Sequence, residues 1–463
     1  MSAPEVDPAP LEIESLDLEG RGVARRDGKV VFVAGALPGE RALVRVLRSR
    51  PSYEVAAGVA ILRSSAARCA PPCPHFGFER EACGGCSMQH LEPRAQLAVK
   101  QRALEDTLWH IGRLRPELIL RPIAGSSLRY RHRARLSVRD VVRKGVVLVG
   151  FHERASSHVA EMRSCAVLPA RVSALIVPLR ELVAALTIRR RLPQVELAVG
   201  AGDDIVLVFR VLDPPGEADR QALRRFGAEH RVCVWLQPKG PDSAYPLDRD
   251  DAGDLALELP EFDVRLPFGP TDFTQVNPGI NEILVRVAVR LLAPEPASRV
   301  LDFYCGLGNF TLPLARRAAL VAGYEGSPAL VARARAAAER HGLQDRTRFA
   351  AGDLDRWDEA AWGAAQADIG PIDRVLVDPP REGALAIARV LARVAAPPRR
   401  LVYVSCNPAT LARDCAVLAH EGGWALRAAG VVNMFPHTSH VESIALLEPG
   451  GTVVRDTLAS CLE

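Results

Sequence analysis

No stretch of this 463-residue chain reaches the ~18 uninterrupted apolar residues that a membrane-crossing helix needs. Residues 1–30 are acidic and proline-containing before they turn basic, and they hold no apolar run of the secretory kind. These absences lead us to expect a cytoplasmic protein with no membrane partner. Thiols stay reduced there, so the ten cysteines are read as ligands, nucleophiles or packing residues rather than disulfides. A dominant charge is missing as well: 59 Lys+Arg face 55 Asp+Glu, a net charge of +4. Bulk electrostatics alone therefore do not point to nucleic acid. The charge that is present is clustered, with arginines gathered in residues 41–68 and again in LRYRHRARLSVRDVVRK (128–144). In the second cluster, basic and aromatic residues alternate with apolar ones, as on a strand. Such a strip suits a phosphate backbone, although a solvated sheet face gives the same pattern.

At 48% hydrophobic and 25% charged residues, the chain is long enough for two or three domains. Residues 11–62 read as short strands punctuated by glycine and proline, and a small β-barrel of about five strands fits them. Cys69, Cys73, Cys83 and Cys86 then crowd into a segment flanked by Pro71, Pro72, Pro74, Gly84 and Gly85. Such a loop cannot bury an apolar core, so a metal is expected to organise it. Residues 92–114 have helical apolar spacing, and from about 121 to 268 alternating strands dominate, with one helical stretch near 169–186. Beyond that the pattern switches to β-α alternation, with strands at 299–304, 320–325, 374–378 and 401–405. That alternation predicts an α/β doubly wound parallel sheet following β-rich domains.

Doubly wound sheets bind ligands at the carboxyl ends of their strands, so the residues that follow each strand carry the chemistry. After the first comes Asp302-Phe-Tyr-Cys-Gly306-Leu-Gly308-Asn309, a glycine turn opening a helix whose N-terminus would lend a positive field. Glu325 closes the second strand about 20 residues on, the placement of an acid that accepts hydrogen bonds from ribose hydroxyls. Together they describe a nucleoside-cofactor pocket. The third glycine of a dinucleotide fingerprint is absent, which favours S-adenosylmethionine over NAD. Asp353, after a strand predicted at 347–351, stands where an acid could meet an adenine amino group; a surface turn explains it equally well. Asp378-Pro379-Pro380-Arg381 is a rigid segment that would hold Asp378 at the pocket rim.

The fifth strand ends in Cys406-Asn407-Pro408, ahead of a helix whose N-terminus is expected to lower the thiol pKa. A thiolate there suits covalent catalysis on a pyrimidine. Uracil C5 is too weak a nucleophile to take a methyl group unaided, but addition of sulfur to C6 makes C5 enolate-like. A base must afterwards remove the C5 proton. Glu442, in HTSHVES, is the candidate, with His440 as its competitor.

The ordered set FTQVN, LDFYCGLGNFTLPLA, DPPR, SCNP and HVE resembles the 5-methyluridine RNA methyltransferase family, over essentially the whole chain. The resemblance implies cofactor contacts at Gln275, Tyr304, Asn309, Glu325, Asp353 and Asp378, the nucleophile at Cys406 and the proton-abstracting base at Glu442. Tyr304 and Asp353 stand where Phe and Asn are expected, which puts the adenine contact of Asp353 in doubt. Cys73, Cys83 and Cys86, with Cys165 following, resemble the ligands of members that hold a [4Fe-4S] cluster. FERE looks like an insertion in their first spacing, Cys69 is an extra candidate, and a four-cysteine zinc site would use the same residues. Cys233, Cys305, Cys415 and Cys461 are read as packing residues.

The N-terminal segment then resembles a TRAM domain, an OB-like RNA-binding module. The implied organisation is a TRAM barrel at 1–65, a central iron–sulfur and RNA-binding domain at 66–92 with 122–268, and a Rossmann-like methyltransferase domain at 93–121 with 269–463. The iron–sulfur subgroup suggests large-subunit ribosomal RNA as partner rather than transfer RNA, with the enzyme a monomer. Two rivals remain at this point: a non-enzymatic RNA-binding protein that retains the fold as scaffold, and a cytosine-C5 enzyme using the same cysteine logic. An exocyclic-amine methyltransferase fits less well, because Arg381 follows Pro380 where an aromatic residue is typical.

Overall fold

The computed structural model describes residues 9–450 except 18, 203 and 249–251; Cys461 lies outside them. Residues 11–63 form a six-stranded sheet, one strand more than the sequence pattern suggests, because two of its members are only two residues long. Alternation along the strands buries Ala24, Val31, Val33, Ala42, Val44 and Ala56 on one side. Leu47, Val59 and Leu62 stay exposed on the other.

A second six-stranded sheet occupies residues 133–246. Strands Ile205–Arg210 and Cys233–Gln237 run parallel in it, and parallel neighbours need a crossover. The crossover is helix Glu217–His230, which the sequence reading misses. It is strongly polar, and only Asp219, Leu223, Phe226 and Gly227 are buried, so few apolar side chains mark it in the sequence. Another difference lies at the domain boundary. The sequence pattern runs the central domain to 268, but hairpin Ala256–Leu259 and Val264–Pro267 packs its Leu257, Leu259, Val264 and Leu266 among the apolar side chains of the C-terminal sheet.

That C-terminal sheet has eight strands. Seven are named here in chain order: β1 Arg299–Phe303, β2 Leu320–Glu325, β3 Thr347–Ala351, β4 Arg374–Val377, β5 Arg400–Ser405, β6 Trp424–Val432 and β7 Glu442–Pro449. Their spatial order is β3-β2-β1-β4-β5-β7-β6, with the short strand Leu118–Ile119 at the far edge. The first five are parallel, whereas β7 runs antiparallel between β5 and β6. The order reverses between β1 and β4, which opens a cleft at their carboxyl ends.

Three helices bear on that cleft: α1 Pro93–Gly112, α2 Pro278–Leu292 and α3 Pro408–Gly422. Proline opens each, in the position where its missing N–H costs nothing. Asn277 caps α2 through Ile280 N, and Asn407 caps α3 through Ala409 N. Leu104 and Leu108 of α1 are buried with Leu411, Ala412 and Cys415 of α3, so α1 belongs to the C-terminal core although it lies far upstream in sequence. Among the described residues no helix is long and apolar enough to cross a membrane.

Candidate active site

Antiparallel β7 begins where its parallel neighbours end, and this brings the sequence-predicted nucleophile and base to one edge. Ser405 pairs with Ser443 in the ladder, so Cys406, one residue beyond β5, stands across from Glu442, the first residue of β7. Cys406 is half-buried. The turn that carries it is tied to the rim segment: Asn407 Nδ2 donates to the Arg381 carbonyl at 3.0 Å, and Thr410 Oγ1 donates to the same oxygen at 3.3 Å. Farther along that segment, the Ala384 N–H donates to Asp414 Oδ2 at 2.7 Å, an atom that also accepts from Tyr403 OH at 2.7 Å.

The electrostatics correct one expectation. Burial, Glu442 and Asp378 push the Cys406 thiol up to about 11, and Arg381 offsets only part of this. Helix α3 does begin two residues later, but two carboxyls in a half-buried cleft outweigh its end. The carboxyls are themselves displaced. Glu442 rises to about 8 through burial and Asp378, opposed by Lys100, and burial raises Asp378 to about 7. Asp302 rises to about 8 through burial, with Asp378 and Glu325 adding to it and Thr311 opposing. Such groups cannot all hold negative charge near neutrality, so their titrations are shared.

Lys100 is the residue that the sequence reading missed. It is buried, drawn down to about 7 by burial and held up by Glu442. The signal was present: Gln96, Lys100, Leu104 and Leu108 recur every fourth residue along the buried stripe of α1, and a lysine there is out of place. His440, the rival base, is exposed, yet its imidazole is lowered by partial desolvation, with Arg381, Lys100 and Arg131 adding to the effect.

The glycine turn after β1 is shaped for a ligand. Gly308 has φ +88°, and a Cβ on it would sit 2.5 Å from Leu312 Cδ1. Tyr304 itself takes φ +62°. Glu325 accepts from Gly306 N at 3.1 Å and Ser327 N at 2.9 Å, which fixes its carboxylate at the end of β2. Asn309 is engaged with Asn281 of α2, each amide donating to the other at 2.8 and 2.9 Å. The helix that follows, Thr311–Ala315, has only five residues, so the positive field expected of it is small. Asp353 is exposed, accepts from Asp355 N at 3.1 Å and pairs with Arg356 at 3.3 Å.

Gln275 is half-buried in the loop leading to α2. Its neighbours are held from the central sheet, His132 N donating to the Val276 carbonyl at 2.8 Å and Arg133 reaching Thr274 Oγ1 at 3.4 Å and the Pro270 carbonyl at 2.8 Å. Part of the basic strip at 128–144 is therefore a brace for this loop. Three buried polar atoms at or beside the glycine turn, Asp302 Oδ1, Tyr304 Oη and Trp357 Nε1, have no hydrogen-bond partner among the described residues. Orphaned buried polar atoms are rare, and with the fixed Glu325 they fit a nucleoside cofactor that carries its own donors and acceptors.

The four cysteines read as ligands also come together. Cys73, Cys83, Cys86 and Cys165 line one cavity of about 200 Å³, with Tyr130 and His440 among its other walls. Burial pushes the thiol of Cys83 up to about 11 and that of Cys86 to about 12. Cys69 is not part of this lining; its Sγ contacts the Gln89 carbonyl at 3.5 Å. Among the described residues no three metal-binding side chains stand close enough to grip a single ion. A tetrahedral zinc would need sulfurs only ~3.8 Å apart, given its ~2.3 Å bonds. Cys305 and Cys415 are buried and Cys233 half-buried.

A family model for tRNA (uracil-5-)-methyltransferases matches residues 93–449. The chain belongs to that family. A TRAM domain model matches residues 9–56, the N-terminal sheet. Among relatives of this uracil-5 methyltransferase is the 23S rRNA (uracil(1939)-C(5))-methyltransferase RlmD of Bordetella bronchiseptica, 58% identical over 440 residues, covering 95% of this chain and 92% of the relative. The protein of the same name from Nitrosospira multiformis is 55% identical over 440 residues, covering 95% and 98%. In fold the methyltransferase is similar to the Pyrococcus abyssi tRNA (uracil-54, C5)-methyltransferase solved with S-adenosyl-L-homocysteine. That likeness has a TM-score of 0.70 at 23% identity, over 95% of this chain and 100% of the other.

Proposed function

We propose that the protein methylates carbon 5 of a uridine in 23S ribosomal RNA, using S-adenosylmethionine and a covalent adduct on Cys406. The pairing of Ser405 with Ser443, which sets Cys406 opposite Glu442 at the edge that also carries the glycine turn, is the observation that carries this reading. Bound S-adenosylmethionine supplies the methyl group as an electrophile; Glu325, Tyr304, Asn309, Gln275, Asp353 and Asp378 are the residues proposed to hold it. Cys406 adds to C6, and the electron pair of the C5=C6 bond becomes available at C5 for the methyl group. Glu442 then takes the C5 proton, the double bond re-forms, and Cys406 leaves as the thiolate.

A target base must leave its stack to reach this cleft. The exposed Leu47, Val59 and Leu62, set among arginines of the N-terminal sheet, offer an apolar and basic surface to the surrounding RNA. The names of the relatives at 58% and 55% identity favour large-subunit RNA over transfer RNA. Nucleoside mass spectrometry of separated ribosomal and transfer RNA, with and without the gene, tests this. Loss of 5-methyluridine from 23S RNA is expected; loss from transfer RNA alone would overturn the substrate, and no loss would overturn the activity.

We also propose that Cys73, Cys83, Cys86 and Cys165 hold a [4Fe-4S] cluster. The support is the convergence of four cysteine sulfurs on one cavity, a donor set that suits such a cluster. Anaerobically purified protein should carry about four irons and four sulfides per chain, and Cys83→Ser should lose most of them. Stoichiometric zinc with no sulfide would show the four-iron assignment to be wrong.

A further inference from the structure

Lys100 is one of only four lysines in the chain, and it is buried on the inward stripe of α1. A buried ammonium is costly without acceptors. Two oxygens meet it here: Nζ donates to Asn433 Oδ1 and to the Phe435 carbonyl, each at 2.9 Å. Both acceptors lie on the segment that joins β6 to β7, so an early helix reaches across to grip the backbone that delivers Glu442. Gln96, one turn before Lys100, grips the same segment. Its Oε1 accepts from the His437 N–H at 2.9 Å, and its Nε2 lies 3.1 Å from His437 Nδ1.

The charged and titratable groups around this point come from every neighbouring element. Asp378 beyond β4 disfavours a carboxylate at Glu442, and Lys100 from α1 favours one. Cys406 beyond β5 feels Glu442, Asp378 and Arg381. On the approach to β7, His437 and His440 both feel Lys100, and His440 also feels Arg381 and Arg131. Lys100 is thus the basic group opposing Asp378 at the base, and its two oxygen acceptors offset part of the burial that draws its ammonium down.

We propose that Lys100 is a positioning residue for proton abstraction: its Nζ fixes the Asn433 to Phe435 turn that leads to Glu442, and its positive charge, when present, favours the carboxylate that removes the C5 proton. The proposal rests on the covalent uridine mechanism above. In the methylated adduct, C5 carries a hydrogen and C6 carries the Cys406 sulfur. Glu442 takes the proton, the C5–H electron pair becomes the C5=C6 bond, and the C6–S pair departs with Cys406. A protonated Glu442 cannot begin this sequence. Addition and methyl transfer do not require it to be charged, so loss of Lys100 slows release selectively.

The test uses full-length enzyme, 23S RNA from a strain lacking the gene, and S-adenosylmethionine with a labelled methyl group. With Lys100→Met, labelled protein–RNA adduct should accumulate under denaturing conditions, release should slow by about 10-fold or more, and its acid limb should move upward by about one pH unit, the effect of removing a nearby opposite charge. Lys100→Arg should keep the limb near its wild-type position. If Lys100→Met does not fold, Lys100→Gln keeps a hydrogen-bond donor without the charge and should show the same shift. An unmoved limb in the neutral variants, or lower turnover with no adduct, overturns the role of Lys100. Wild-type enzyme that never forms a methylated adduct overturns the mechanism itself, a separate outcome visible before any Lys100 variant is examined.

Discussion

Cys406→Ala is expected to abolish 5-methyluridine formation, lowering the rate by about 10⁴-fold or more, the scale lost when a covalent nucleophile is removed. That corresponds to at least ~5 kcal/mol of transition-state stabilisation. The structural disturbance is small by comparison. Cys406 is half-buried in a turn held by Asn407, Thr410 and the Arg381 carbonyl, none of which uses the sulfur. Melting temperature and S-adenosylmethionine affinity should therefore stay close to wild type. The decisive measurement pairs a methyl-transfer assay with a denaturing gel of enzyme incubated with 23S RNA. No adduct and no methylation is the expected result; methylation at an undiminished rate would sink the covalent mechanism.

Glu442→Gln separates the second half of the reaction from the first. The amide keeps the size of the side chain but cannot take a proton, so turnover should fall by about 10²- to 10⁴-fold, the usual contribution of a positioned base. Methyl transfer should still occur once, leaving labelled RNA bound to Cys406 in a band that survives denaturation. Glu442 is buried, raised to about 8 and flanked by Asp378 and Lys100. The other carboxylate of β7, Glu448, stands at the far end of the strand and pairs with Arg400 at 2.9 Å, so it cannot replace the base. Multiple turnover without a trapped species would transfer the role to His440, which is exposed on the approach to β7. The two variants therefore predict opposite gel results from the same loss of product: no adduct for Cys406→Ala, accumulated adduct for Glu442→Gln.

Much of the C-terminal architecture was legible because a parallel sheet covered on both faces writes its strands as short apolar runs. RVLDF, LVAGYE, RVLV and RLVYVS appear where the pattern placed them, and each ends in residues of unusual chemistry. The crossover helix Glu217–His230 was harder to read, since a strongly polar surface helix carries few apolar residues to mark it. The hairpin at 256–267 could not be assigned by pattern at all. Its alternation looks like that of the central strands, and only packing shows which core its inward residues fill.

The sequence by itself determined the order of the motifs, the residue types at each strand end and the four cysteines that share a cavity. These are local properties, written in spacing and in glycine, proline and apolar periodicity. Tertiary structure decided how the residues act on one another. The antiparallel insertion of β7 sets Glu442 across from Cys406, and the docking of α1 brings Lys100 to the turn before it. Burial together with two carboxyls raises the thiol that a helix end was expected to lower. Electrostatic free energies depend on distance and desolvation in three dimensions, and neither quantity is carried by the spacing of residues along the chain.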